Sequence, residues 1–231
     1  MKLLKPLAED LWLYEPGCVD FYSMVYSTRM TVLRLANGRL WIHSPERILP
    51  GLSDELLSLG EPRYLISPNK LHHLFLNDWC GQWPNATTYA APGLRQKRKD
   101  IEFYAELDDQ AEPEWAGEID QLIFKGSWAM QELVFFHRAS ASLILTDLIE
   151  NFSPDHFKAW RKPIAQWAGI VSPYGKTPID WRLSFIGRKS MARQCLQQIM
   201  EWPFERIILS HGECILENPK AFLEQSFSWL R

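Results

Sequence analysis

Three short apolar runs in this chain each lead into a side chain able to bind a metal ion. Tyr64-Leu65-Ile66 precedes Ser67-Pro68-Asn69-Lys70-Leu71-His72-His73. Leu143-Ile144-Leu145 precedes Thr146-Asp147, and Arg206-Ile207-Ile208-Leu209 precedes Ser210-His211-Gly212-Glu213. Unbroken apolar runs of this length mark strands covered on both faces, which need helices or a second sheet over them. In such α/β arrangements ligands bind in the crevice at the carboxyl ends of the strands. The three runs therefore constrain both the architecture and the place of a site.

The rest of the chain alternates in the same way. Residues 10–14 read as a strand stopped by Pro16-Gly17, and the aromatic segment 18–29 as a loop or edge over the site. The β-rich runs 30–35 and 39–43 flank Asn37-Gly38, the strongest short hairpin signal. Ser53 is expected to cap a short helix that stops at Gly60. Strand 63–66 precedes helix 71–79, and strand 86–90 precedes a short basic helix with Pro92 in its first turn. Strands follow at 119–124, 132–137 and 142–146, with a turn at 138–141. Helices at 154–168 and 189–200 enclose a Pro- and Gly-rich loop at 170–187. Strand 206–209 and a helix at 219–230, capped by Asn218, complete the chain. No Pro/Gly/Ser linker interrupts it, so residues 1–231 read as one α/β domain.

Composition narrows the function. A net charge of -3 gives no general attraction to nucleic acid or to an anionic membrane. The basic run Arg95 to Lys99 is followed at once by Asp100 and Glu102, which reads as a solvated helix face. No apolar run reaches membrane-spanning length, and the first residues lack the apolar core of a signal peptide. Four scattered cysteines without a C-x-x-C pair fit reduced thiols, so a cytoplasmic location is expected. A small-molecule partner is expected, and the oligomeric state stays open.

The ordered landmarks at 30–44, 67–76, 145–147 and 210–212 resemble those of the metallo-β-lactamase fold. More closely, Pro68-Asn69-Lys70-Leu71-His72-His73-Leu74-Phe75, Ala91-Pro92-Gly93-Leu94, Trp115-Ala116-Gly117-Glu118-Ile119-Asp120 and Phe135-Phe136-His137-Arg138 resemble an uncharacterised bacterial and plant family within that superfamily. The resemblance runs from about Met30 to Glu213. It implies a four-layer αββα sandwich, with two mixed sheets face to face and helices outside.

It also implies a degenerate site. The superfamily motif H-x-H-x-D-H, placed with its Asp-His pair on His72-His73, puts Pro68 and Lys70 where the first two histidines belong. The third histidine falls near Trp128. Asp147 matches the bridging carboxylate, His211 the last histidine, and His43 a strand-end Asp. The first metal position thus loses its ligands. The second keeps His72, His73, Asp147 and His211, which implies one divalent metal, zinc or iron.

The resulting expectation is a mononuclear metal-dependent hydrolase acting on a small ester, lactone or thioester. Asp147 would orient or deprotonate water, and Lys70 would stabilise the developing oxyanion. Glu213 would hold a ligating imidazole in its tautomer, with His43 and Asn69 beside the cleft. Phe21, Tyr22, Tyr26, Trp79 and Trp83 would wall that cleft, while His137 and His156 lie outside it. The alternative is a catalytically inactive binding or scaffold protein that reuses the fold. There His72 and His73 would tie loops together, and Asp147 would cap the segment after it.

Overall fold

A computed structural model describes residues 2–21, 24–157 and 162–231. The chain divides into two compact units, Met1–Glu118 and Ile119–Arg231.

The first unit contains strands β1 (Leu4–Ala8), β2 (Leu11–Tyr14), β3 (Cys18–Phe21), β4 (Met24–Ser27), β5 (Met30–Arg34) and β6 (Arg39–His43). Helix α1 (Leu52–Leu59), strand β7 (Glu61–Ser67), helix α2 (Leu76–Gln82), strand β8 (Thr87–Ala90), helix α3 (Leu94–Lys97) and strand β9 (Ala105–Glu106) follow. Seven strands form one sheet in the order β1-β2-β5-β6-β7-β8-β9. Its first half is antiparallel, with short turns joining β1 to β2 and β5 to β6, and with β3 and β4 lying between β2 and β5 in the chain. Asn37-Gly38 makes the β5–β6 turn as expected, with Gly38 at φ 78° and the Arg39 N–H bonded to Asn37 Oδ1 at 3.0 Å. From β6 onward the pairing is parallel, which requires crossovers, and α1 and α2 supply two of them. Val32, Ile42, Leu56, Leu65, Leu76 and Trp79 belong to the core under these elements.

Several local expectations change here. Residues 18–29, expected as a loop or edge, contain the β3–β4 hairpin, with Cys18 opposite Ser27. Strand β1 was not anticipated, and the Glu55 carboxylate of α1 anchors its start by accepting the N–H groups of Leu3 and Leu4. Helix α1 begins at Leu52 after Gly51, so Ser53 is not its cap. The helix expected from Leu71 begins only at Leu76. Asn69 Oδ1 takes the N–H groups of Leu71 and His72 at 2.8 and 3.2 Å, and this side-chain turn competes with helix at 71–75.

The second unit contains strands β10 (Ile119–Phe124), β11 (Glu132–His137) and β12 (Ser142–Leu145). Helices α4 (Lys162–Ala168), α5 (Ile179–Leu183) and α6 (Lys189–Glu201), strand β13 (Arg206–Leu209) and helix α7 (Pro219–Ser226) complete it. The sheet order is β10-β11-β12-β13, antiparallel except for the parallel β12–β13 pair. All six residues of β11 and all four of β12 are buried, as their apolar runs require. Helix α6 lays one stripe, Ala192, Cys195 and Ile199, into a core that also takes Phe124, Val134, Leu143, Phe222 and Leu223. The helix expected over 154–168 is present as α4 at Lys162–Ala168, and residues 158–161 lie outside the described ones. The expected loop 170–187 holds α5, and Asn218 precedes α7 with φ 49° and no side-chain capping bond.

Candidate functional site

In the first unit, the turn after β7 carries Asn69, Lys70, His72 and His73. Asn69 is fully buried and acts on the backbone, through the two bonds to Leu71 and His72. The two imidazoles have separate partners. His72 Nδ1 lies 2.5 Å from the Ser44 hydroxyl, just beyond β6. His73 Nδ1 lies 2.8 Å from the Arg98 guanidinium, which also donates to the His73 carbonyl at 2.9 Å. Asp100 holds Arg98 in place with bonds of 2.7 and 2.9 Å. A guanidinium only donates, so Nδ1 of His73 accepts and the ring proton sits on Nε2. Burial, with the charges of Lys97 and Arg98, pushes the His73 pKa down to about 4 and keeps the ring neutral.

Lys70 lies against the turn that starts α3. A side chain at Gly93, which has φ 77°, would meet Cε and Nζ of Lys70. The Lys70 carbonyl accepts from Lys97 Nζ at 2.7 Å. His43, at the end of β6, is fully buried and stacked on Trp41 with ring centroids 5.7 Å apart. Burial first, then the nearby His72, pushes its pKa down to about 3.

In the second unit, sheet register brings two expected residues together. The parallel ladder sets Leu143 opposite Ile207 and Leu145 opposite Leu209. Asp147 and His211 each stand two residues further on, so the same offset puts them side by side. His211 Nε2 lies 2.9 Å from Asp147 Oδ1, with both side chains buried. His211 is held from behind as well. Its carbonyl accepts the Asn151 N–H at 3.3 Å, and Gly212 (φ 84°) packs so closely on the Asn151 backbone that any side chain there would clash.

Glu213 has a different partner from a ligating imidazole, since its Oε2 accepts the Ser172 hydroxyl at 2.6 Å. His137 pairs with Ser140 at 2.7 Å, and His156 stacks on Phe152 at 4.7 Å. Trp79 is a core residue whose Nε1 donates to the Glu46 carbonyl, so it does not wall a cleft. Tyr22 and the Phe21 side chain lie outside what the structure describes.

Sequence patterns did not single out Glu150. It is 4% exposed, and its Oε2 has no hydrogen-bond partner among the described residues. Burial pushes its carboxyl up to about 8; His211 works against that shift, while Asp147 and Asp180 add to it. Ser44 and Arg98, the partners of the two histidines, also carry no sequence signal, because they are distant in the chain.

A family model described as a domain of unknown function, DUF4336, matches residues 8–165, well over half of the chain. The chain belongs to the DUF4336 family. No curated protein matches it. Solved structures do. The DIM-1 metallo-β-lactamase exposed to ceftazidime superposes with a TM-score of 0.66 at 16% identity, covering 98% of this chain and 95% of that one. A metallo-β-lactamase from Hirschia baltica gives 0.67 at 12% identity, covering 99% and 97%. The metal-soaked Flv1 flavodiiron core from Synechocystis sp. PCC6803 gives 0.65 at 11% identity, covering 98% of this chain and 60% of that one. At these identities the likeness establishes the fold: this DUF4336 protein is an α/β protein with the metallo-β-lactamase fold. Among its described residues no helix is long and apolar enough to cross a membrane.

Proposed function

We propose that this protein is a mononuclear metal-dependent hydrolase in which His72, Asp147 and His211 hold one divalent ion, zinc or iron. The observation that carries this reading is the buried pair of His211 and Asp147 at 2.9 Å, set by register at two strand ends. The superfamily motif that the chain resembles adds His72 as a second imidazole, and two imidazoles with one carboxylate suit either metal. The chemistry of the donors fits. When the Nδ1–H of His72 donates to the Ser44 oxygen, the Nε2 lone pair is available to a ligand, and Ser44 fixes the tautomer. His73, its Nδ1 engaged by Arg98, positions the turn instead.

A bound ion would supply Lewis acidity and a water whose pKa is lowered to near ~7 in the zinc case. The protein does the rest. Asp147 orients and accepts the proton of the attacking water. Lys70, at the same turn as His72, stabilises the anionic oxygen that develops. The substrate in this reading is a small ester, lactone or thioester, by analogy of fold. The four cysteines are scattered along the chain with no C-x-x-C pair, which supports a reducing, cytoplasmic setting. A net charge of -3 favours a small molecule over nucleic acid or an anionic membrane as partner.

One observation favours a second reading. Pro68, Lys70 and Trp128 stand at superfamily ligand positions, and His73 is already paired, as in a binding protein that has lost the chemistry. Elemental analysis decides between them. After reconstitution with zinc, iron or manganese, the hydrolase reading expects a metal-to-protein ratio near one, falling to near zero in His211→Ala. A ratio near two would refute the single site. A ratio near zero in the wild type would favour the binding protein.

A further inference from the structure

Glu132 opens β11 and is fully buried. In the β11–β12 ladder Phe135 stands opposite Ile144, Phe136 opposite Leu143 and His137 opposite Ser142. Continued in that register, Leu133 would face Thr146 and Glu132 would face Asp147. The strand stops at Leu145, however, and the N–H groups that follow leave the ladder at buried residues. The Glu132 carboxylate takes the place of the missing strand. Oε1 accepts the Thr146 N–H at 2.8 Å, and Oε2 accepts the Asp147 N–H at 2.7 Å. The Leu148 N–H reaches the two oxygens at 3.4 and 3.2 Å. Three successive N–H groups around one carboxylate make an anion-binding nest, and bonds to an ionised acceptor are the strong kind. An apolar residue of the same size would leave all three donors buried and unmet.

We propose that Glu132 is a positioning residue for the Asp147–His211 pair. An aspartate carboxylate is only two rotatable bonds from its backbone. Clamping the N–H groups of residues 146–148 therefore fixes where the Asp147 carboxylate can stand, and His211 meets it there. Glu132 touches no substrate and binds no metal itself. Its functional meaning rests on the reading of Asp147 as a ligand, whereas its effect on the pair does not.

Glu132→Gln is the sharp test. The isosteric amide keeps one acceptor oxygen but turns an NH2 toward a backbone donor. Glu132→Asp keeps the charge and draws it back by one methylene. Val134→Ala, in the same strand, controls for a purely structural loss. Two readouts are taken where circular dichroism shows each variant folded. The first is metal affinity by chelator competition, expected to weaken by roughly 10–100-fold in Glu132→Gln, as for other partners that orient ligands, with Val134→Ala unchanged. The second is the His211 Nε2–H proton resonance of the metal-free protein, expected to be shifted or lost in the Glu132 variants and unchanged in Val134→Ala. If the wild type binds no metal, the hydrolase reading fails while the resonance still decides the role of Glu132. A resonance and affinity in Glu132→Gln like those of the wild type would overturn the proposal. Should Glu132→Gln not fold, Glu132→Asp is read in the same way. In the wild type, couplings across the hydrogen bonds from the Glu132 carboxyl carbon to the nitrogens of residues 146 and 147 must then be present, and their absence would also overturn it.

Discussion

The two units hold their candidate donors by different means. In the first, His72 and His73 sit on a turn shaped by the Asn69 side chain and are steadied by Ser44 and Arg98, all replaceable side-chain bonds. In the second, Asp147 and His211 extend a parallel backbone ladder, and a glycine packed on the neighbouring backbone backs the histidine. A register-built pair has little freedom without unpairing strands, whereas a loop-built one adjusts as its side-chain bonds change. The buried titratable groups lean in opposite directions too. In the first unit the His43 pKa is pushed down to about 3, and in the second that of Glu150 is pushed up to about 8.

The largest expected effect follows from that opposition. Glu150 keeps its proton in the folded state at pH values where the unfolded chain, titrating near 4.5, has released it. Its contribution to stability is complete below about pH 4.5 and is lost as pH rises toward 8. His43 is the mirror case, since stability falls as pH drops from 6.5 toward 3 because the unfolded imidazole takes up a proton that the folded one refuses. Glu150→Gln should flatten the alkaline limb of the stability profile, by roughly 5 kcal/mol across the window. It should leave the acid limb in place. Denaturant unfolding from pH 4 to 9 reads both limbs, and an unchanged alkaline limb would show that Glu150 is not the group responsible.

Next in size is Gly212→Ala. A methyl at φ 84° against the Asn151 backbone strains the chain and forces it apart, costing roughly 3 kcal/mol. It should also break the 2.9 Å contact of His211 with Asp147, which a crystal structure of the variant would show. A variant with normal stability would mean that the second unit is as adaptable as the first.

Asn69→Ala should have the smallest effect, about 1–2 kcal/mol from two lost bonds. Relaxation of the turn toward the helix first expected at 71–79 offsets part of that loss. Hydrogen exchange should show protection changes confined to residues 69–76. Changes reaching β13 would dissolve the distinction between the units.

Much was legible where the signal is local. Asn37-Gly38 specified its hairpin because only such residues tolerate that turn, and the apolar runs of β7, β12 and β13 had to be buried. The ordered motif residues point to the metallo-β-lactamase fold and to Asp147 and His211 as donors, and the two are paired in the structure. Other features were not legible. Whether residues 18–27 pair depends on Cys18 meeting Ser27, and helix at 71–75 lost to the two N–H groups that the Asn69 side-chain oxygen accepts. Glu132 looked like one more charged residue at a strand start. Its importance comes from standing where β12 leaves the ladder, a matter of register between strands. The sequence by itself determined which segments must be buried and which residues can bind a metal, because polarity and turn chemistry belong to each residue. Only the tertiary structure decided which oxygen or nitrogen each of those side chains meets, because hydrogen bonds are satisfied between atoms that the chain brings together from far apart.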